Sequence, residues 1–219
     1  MAAGEAPSGA TDYACRFDLP AGWVDLTLDS RSRAEAVGVA GAAVRDRFNK
    51  LTLQVSERDL LDDLVDRAMD LNSDEPILAA SYYGSDGVGL VNLVVDSYGD
   101  EAMPRPSREE VQPLLLQIGN GDIVGEPEVS HVDLAAGPAI RVKATVKTRR
   151  MLGLGRRLGE FIKYAVFPPG IKQLVVVTAN WQDIAHTDEL SRATDELVWT
   201  MRNVPLDADG REIFPGAPE

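Results

Sequence analysis

Residues 160–181, EFIKYAVFPPGIKQLVVVTANW, decide how the chain folds. Glu160 to Phe167 and Ile171 to Trp181 are predicted as two strands joined across Pro168-Pro169-Gly170. The second is β-branched and apolar on both faces near its centre, the pattern of a strand covered on two sides. Beyond it, Leu190, Ala193, Thr194, Leu197, Val198 and Met201 recur at helical spacing and form one apolar stripe. Thr187 is the expected N-cap of that helix, with Asp188 and Glu189 in its first turn and Pro205 just past its end. The helix needs a surface to cover, and the two-sided strand offers one.

Working outward, residues 126–134 and 139–147 are predicted as strands. In the second, Ile140, Val142, Ala144 and Val146 alternate with Arg141, Lys143, Thr145 and Lys147, as in a half-buried antiparallel strand. Ser107-Arg108-Glu109-Glu110 is a capping box and opens a short helix that stops at Gly119-Asn120-Gly121. Strands at 77–83 and 88–98 meet across Gly84-Ser85-Asp86-Gly87. Ser56 and Asp59 open a helix whose apolar face runs from Leu60 to Leu71 and whose other face carries Asp62, Asp63, Asp66 and Asp70. Ser30 or Ser32 starts an earlier helix reaching about Asn49, while 51–55 reads equally as strand or helix. Two short strands, 17–19 and 23–28, flank Pro20-Ala21-Gly22. Short connections without a regular βαβ rhythm predict an α+β fold: an antiparallel β-sheet of six to eight strands with helices packed on its faces. One domain is expected over 14–204, after a disordered leader at 1–13. A flexible C-terminal tail is expected at 205–219, with Ile213 and Phe214 available to dock.

The 219-residue chain is 44% hydrophobic and 26% charged, ordinary for a globular protein. Its 35 acids outnumber 22 lysines and arginines for a formal charge of −13, which repels phosphate backbones and anionic lipid. Nucleic acid and membrane are therefore not expected partners. Cys15 is the single cysteine, so no internal disulfide is possible. The first dozen residues lack the layout of a signal peptide, and a cytoplasmic protein is expected.

Candidate chemistry is sparse. His131 lies in a strand near Asp133, expected to point to the other face, and His186 sits at a helix start with Asp183 and Glu189 at three residues' distance. Helix-cap polarity explains the second group as well as metal or proton chemistry does. Cys15 has only Arg16 beside it and is expected to be an incidental thiol. Gly153 to Gly159 is spaced GxGxxxG and precedes a strand, which fails the dinucleotide pattern. No catalytic residue, metal site or cofactor is expected. The charge pattern says more: residues 141–163 hold eight basic residues and one acid, Glu160, with Met151, Leu152, Leu154 and Leu158 interleaved. Lys147, Arg149, Arg150, Leu154, Arg156 and Arg157 are accordingly the expected partner-binding residues, for an acidic peptide, a phosphate group or a neighbouring copy's acidic helix.

Four pieces in order resemble the superfamily of the photosystem subunit PsbP and the Ran-binding Mog protein. They are Phe17-Asp18-Leu19-Pro20-Ala21-Gly22-Trp23, the strands at 77–98, the run from Tyr164 to Ala179, and the helix end Val198-Trp199-Thr200-Met201-Arg202. The resemblance implies an α/β/α sandwich and a binding or assembly role without catalysis. The expected function is thus a non-enzymatic, cytoplasmic protein-binding domain acting as adaptor, chaperone or assembly factor, its partner a protein with an acidic surface. One alternative is a small-molecule binder or cryptic enzyme whose pocket brings together Trp181, His186 and Asp183, or Tyr82 and Tyr83. A homo-oligomer is the other.

Overall fold

The computed structural model describes residues 12–99, 102–119, 121–149 and 156–213. Along the chain they form β1 (Asp12–Arg16), β2 (Trp23–Asp25), α1 (Arg33–Arg47), α2 (Glu57–Leu71), β3 (Leu78–Tyr83), β4 (Gly89–Tyr98), α3 (Arg108–Leu115), β5 (Gly121–Leu134), β6 (Gly137–Arg149), β7 (Arg156–Val166), β8 (Leu174–Trp181), a 3-10 turn (Ile184–His186), α4 (Thr187–Trp199) and β9 (Arg202–Leu206). The expected hairpin is β7–β8, and β8 lies between β4 and β7 in a seven-stranded sheet ordered β2-β3-β4-β8-β7-β6-β5. Every neighbouring pair in it is antiparallel. β1 and β9 form a separate two-stranded ribbon. The fold is α+β, an antiparallel sheet with helices on its faces.

Both faces of the central strands are buried, as the run LVVVTANW requires. On one face α4 sets Leu190, Leu197 and Val198 against Val91, Leu93, Ile162 and Val177. The Trp23 indole ties this layer together by donating to the Ala193 carbonyl at 3.2 Å. The opposite face divides in two: α1 and α2 cover the β2–β3 side, and α3 covers β6 and β7 through Val111 and Leu115. Between them Val94 and Val176 are only half-buried.

Local chemistry starts three of the helices where expected. Ser32 and Ser56 accept from the backbone N–H three residues on, and Ser107 and Glu110 form the reciprocal capping box. Thr187 differs. It is the first helical residue of α4 rather than its cap, and Asp183 caps the 3-10 turn before it. Its hydroxyl is taken instead by Glu160, to which it donates at 2.7 Å, and by the Trp181 indole, from which it accepts at 3.2 Å.

Three expectations are corrected. Residues 17–19 are not a strand; the terminal strand is β1, which begins at Asp12 inside the expected leader. β2 ends at Asp25, because the buried Asn72 side chain then takes over the backbone: it accepts from Leu28 N–H and donates to the carbonyls of Leu26 and Ala68. The expected boundary at 204 falls within β9, where Pro205 pairs with Tyr13 and accepts from Ile213 N–H at 2.8 Å. A ribbon of two strands has only edges, so a proline without an N–H is tolerated there. Phe214 lies outside the described residues. Residues 51–55 form turns and bends, with Leu51 92% exposed. At Gly137, with φ +135°, a Cβ would lie 2.6 Å from the Phe167 carbonyl, so the β5–β6 turn demands glycine. No described helix is long and apolar enough to cross a membrane.

Asn72→Ala strands three buried backbone groups and is expected to lower unfolding free energy by about 2–4 kcal/mol in urea titration. Leu51→Ala, at an exposed turn, is expected to stay within about 0.5 kcal/mol of the parent. Equal effects of the two would refute this account of the β2 end.

Candidate functional site

The three longest strands, β5, β6 and β7, share one end of the sheet. The β6–β7 register runs from Ala139 opposite Val166 out to Arg149 opposite Arg156. Strand alternation then sends successive side chains to opposite faces, which decides where each expected partner-binding residue goes.

On the α4 face, Arg141 is not free to meet a partner. Its guanidinium forks onto Asp195 with two bonds of 3.0 Å and reaches Ser191 at 3.0 Å, while the Tyr164 hydroxyl donates to the same carboxylate at 2.6 Å. Burial and then the Asp195 bond push the Tyr164 hydroxyl well above its ordinary pKa, so it remains a donor. This cluster pins α4 to β6 and β7. Further out, Lys143 lies directly opposite Glu128, and Lys147 opposite Asp122. These cross-strand acids offset the lysines. Around Lys147 the face is partly apolar: Leu158 is its neighbour on β7, and Val124 lies diagonally across on β5. They are 42% and 44% exposed, respectively.

Arg157 pairs with Thr148 and so belongs to the other face from Lys147. The expected basic cluster is therefore split by the pleat. Arg149 and Arg156 are backbone partners at the end of the ladder; Arg150 and Leu154 lie outside the described residues.

The face carrying Arg157 holds a cavity of about 310 Å³ beneath the C-terminal end of α3. Val146, Phe161, Lys163, Thr178 and Asn180 line its floor, Gln117 and Ile118 one wall, and Arg157 its rim, with Leu158 and Trp181 at its border. Lys163 donates to the Gln117 carbonyl at 3.0 Å and stands 5.4 Å from the centre of the Phe161 ring. Burial pushes its amine below the ordinary lysine range. Glu160 also borders the cavity, but its carboxylate is engaged by Thr145 at 3.1 Å and Thr187 at 2.7 Å on the α4 face. A larger hollow of about 560 Å³ runs along the outer side of α4. It is open to solvent, and Asp195 within it is already committed to Arg141, so the smaller cavity is the better enclosed site.

The convergence expected for a pocket of Trp181, His186 and Asp183 does not form. The Trp181 indole turns to Thr187, while His186 and Asp183 pair with each other at 2.6 Å on an exposed turn. Nor do Tyr82 and Tyr83 meet: Tyr82 packs on Trp23, and the Tyr83 hydroxyl donates to Asp63 at 2.7 Å. His131 and Asp133, two apart on β5, share a sheet face, contrary to expectation. Among the described residues no group of three His, Cys, Asp or Glu is arranged to hold a metal. Cys15 packs against the α4-side core, and burial pushes its thiol up to about 12. The cavity escaped sequence reading because Lys163 was counted within a basic stretch. The available signal was its place between Phe161 and Ala165 on one strand face.

No family model matches the chain, and no curated protein matches it. The resemblance to PsbP and Mog thus rests on sequence pattern alone. Among solved structures the chain is similar to LpqN, described as involved in cell envelope biogenesis of Mycobacterium tuberculosis. The match has 13% identity and a TM-score of 0.45, covering 92% of this chain and 88% of that one. A likeness that loose carries no function across.

Two measurements follow from the titratable groups. Native Cys15 is expected to resist a thiol-specific aromatic disulfide at pH 8 and to react within seconds once the chain is unfolded; equal rates would refute its burial. The Asp183 bond raises His186 and lowers Asp183 from their ordinary values. Stability from the raised imidazole is complete below its unfolded pKa and lost as pH rises through the folded one. Stability from the depressed carboxylate is lost as pH falls through its own folded value. Asp183→Asn is expected to move the His186 NMR titration down toward the ordinary histidine midpoint, and an unmoved midpoint would contradict the pairing.

Proposed function

We propose that this protein is a non-catalytic protein-binding domain of the cytoplasm, an adaptor or assembly factor that receives its partner at the outer end of the β5–β6–β7 ladder. The observation carrying this reading is the α4-side sheet face there, where Val124 and Leu158 stand exposed around Lys147. Exposed apolar side chains grouped on a sheet face mark a surface that gains by being covered. The flanking charges select the partner. Lys147 on this face, with Arg149, Arg150 and Arg156 in the adjoining sequence, favours a partner presenting acids beside an apolar anchor.

The face, rather than the open edge of β5, is the docking surface. Gly125, Pro127 and a register shift between Val124 and Glu128 interrupt that edge, and Glu126 and Glu128 charge it. These are devices that discourage a further strand from adding to a sheet. Self-association through the same face is the competing reading, and it predicts a mass that rises with concentration.

The test is affinity capture from native cytosol with three versions of the chain: the parent, Leu158→Asp combined with Lys147→Glu, and a control, Arg33→Glu, on the distant α1. One protein recovered in stoichiometric amount by parent and control, and at least about tenfold less by the double variant, is the expected result. Equal recovery by all three moves the interface elsewhere. A concentration-dependent doubling of mass in sedimentation, abolished by the double variant, replaces the adaptor with a homodimer.

A further inference from the structure

We infer that the cavity beneath α3 binds a small organic anion with a flat apolar body, an aromatic carboxylate being the simplest such ligand. This goes beyond the protein-binding reading, because Lys147 and Val124 of that surface do not line the cavity, and Leu158, which strand alternation assigns to the Lys147 face, only borders it. Its volume of about 310 Å³ is at the lower end of the roughly 300–1,000 Å³ usual for ligand sites, which suits one fused ring system rather than a nucleotide. Phe161, Val146 and Ile118 supply an apolar bed for that ring. Lys163 and Arg157 supply the charge, and Thr178 and Asn180, whose side chains make no hydrogen bond among the described residues, supply free polar groups beside it.

Three features make an anion the fitting occupant. An ammonium group carries three donors, and among the described residues Lys163 gives one hydrogen bond, to the neutral Gln117 carbonyl. It is half-buried, and among the described residues it pairs with no carboxylate, the state in which a charge gains most from an arriving counter-ion. Finally, Glu160 is the one acid bordering the cavity, and both its oxygens are held by hydroxyls on the far side of the sheet. On a chain of charge −13, the cavity is thus a local exception that draws in an anion the rest of the surface repels.

The probe is naphthalene-2-carboxylate, titrated into the full-length ¹⁵N-labelled protein, with the neutral naphthalene-2-carboxamide as its isostere. Saturable amide shifts are expected at Ile118–Gly119, Phe161–Lys163 and Thr178–Asn180, with the carboxamide at least about tenfold weaker. Lys163→Met, which keeps the stem and removes the charge, is expected to weaken the carboxylate about tenfold and leave the carboxamide unchanged. Arg157→Gln, at the exposed rim where folding is not at stake, should weaken it several-fold. Lys147→Glu alone, at a residue of the other sheet face that does not line the cavity, should change the affinity by less than about twofold, whatever it does to partner capture. Absence of saturation, shifts centred on another surface, or equal affinity for carboxylate and carboxamide would overturn the proposal.

Discussion

The constraint on which this structure depends is that its central strands are apolar on both faces. Val175 and Val177 face α4, while Leu174 and Val176 face the other side. A strand of this kind must be covered twice, and the four helices of the described residues are distributed to do so. α4 alone covers one face, and the α1–α2 pair and α3 share the other. β5, β6 and β7 are longer than this cover reaches. The exposed Val124 and Leu158 and the cavity beneath α3 are the two faces of that surplus.

Apolar contact holds helices to a sheet without fixing their position along it, and a pair of polar clamps supplies that. On one face Arg141 and Tyr164 converge on Asp195 of α4. On the other, Arg67 donates to Asp63 of the same helix at 2.9 Å, and Tyr83 donates to Asp63 from β3 at 2.7 Å. In both, the guanidinium also lies over the tyrosine ring, at 5.5 Å for Arg67 and 6.0 Å for Arg141. These groups are partly desolvated, so losing one member leaves the others unpaired. That costs more than the roughly 0–1 kcal/mol of an exposed ion pair. Directed bonds of this kind set helix register, which dispersion forces do only loosely.

Much of this architecture was legible because it is written in local periodicities. The alternation from Ile140 to Val146, the stripe from Leu190 to Met201 and the Ser107–Glu110 box each announce an element that then forms. What escaped depends on pairing across the sequence. β9 was hidden because Pro205 reads as a stop, and only its distant partner β1 makes it a strand. The basic stretch at 141–163 looked like one surface, yet Arg141 is engaged by Asp195, Lys143 and Lys147 face acids of β5, and Arg157 and Lys163 turn to the other face. Linear charge density cannot show which side of a pleat a charge occupies or what lies opposite it.

Glu160 shows how the core and the candidate site are built from one interaction. Its carboxylate accepts from Thr145 on β6 and from Thr187 at the start of α4, and the Thr187 hydroxyl in turn accepts from the Trp181 indole on β8. Three strands and a helix N-terminus therefore meet at one acid, placed where the helix dipole also favours negative charge. The same bonds hold that carboxylate on the α4 face. Lys163, on the opposite face of the same strand, is paired with no acid among the described residues. The contact that closes α4 over the core is thus what leaves the cavity beneath α3 positively charged, and neither feature has to be maintained separately from the other.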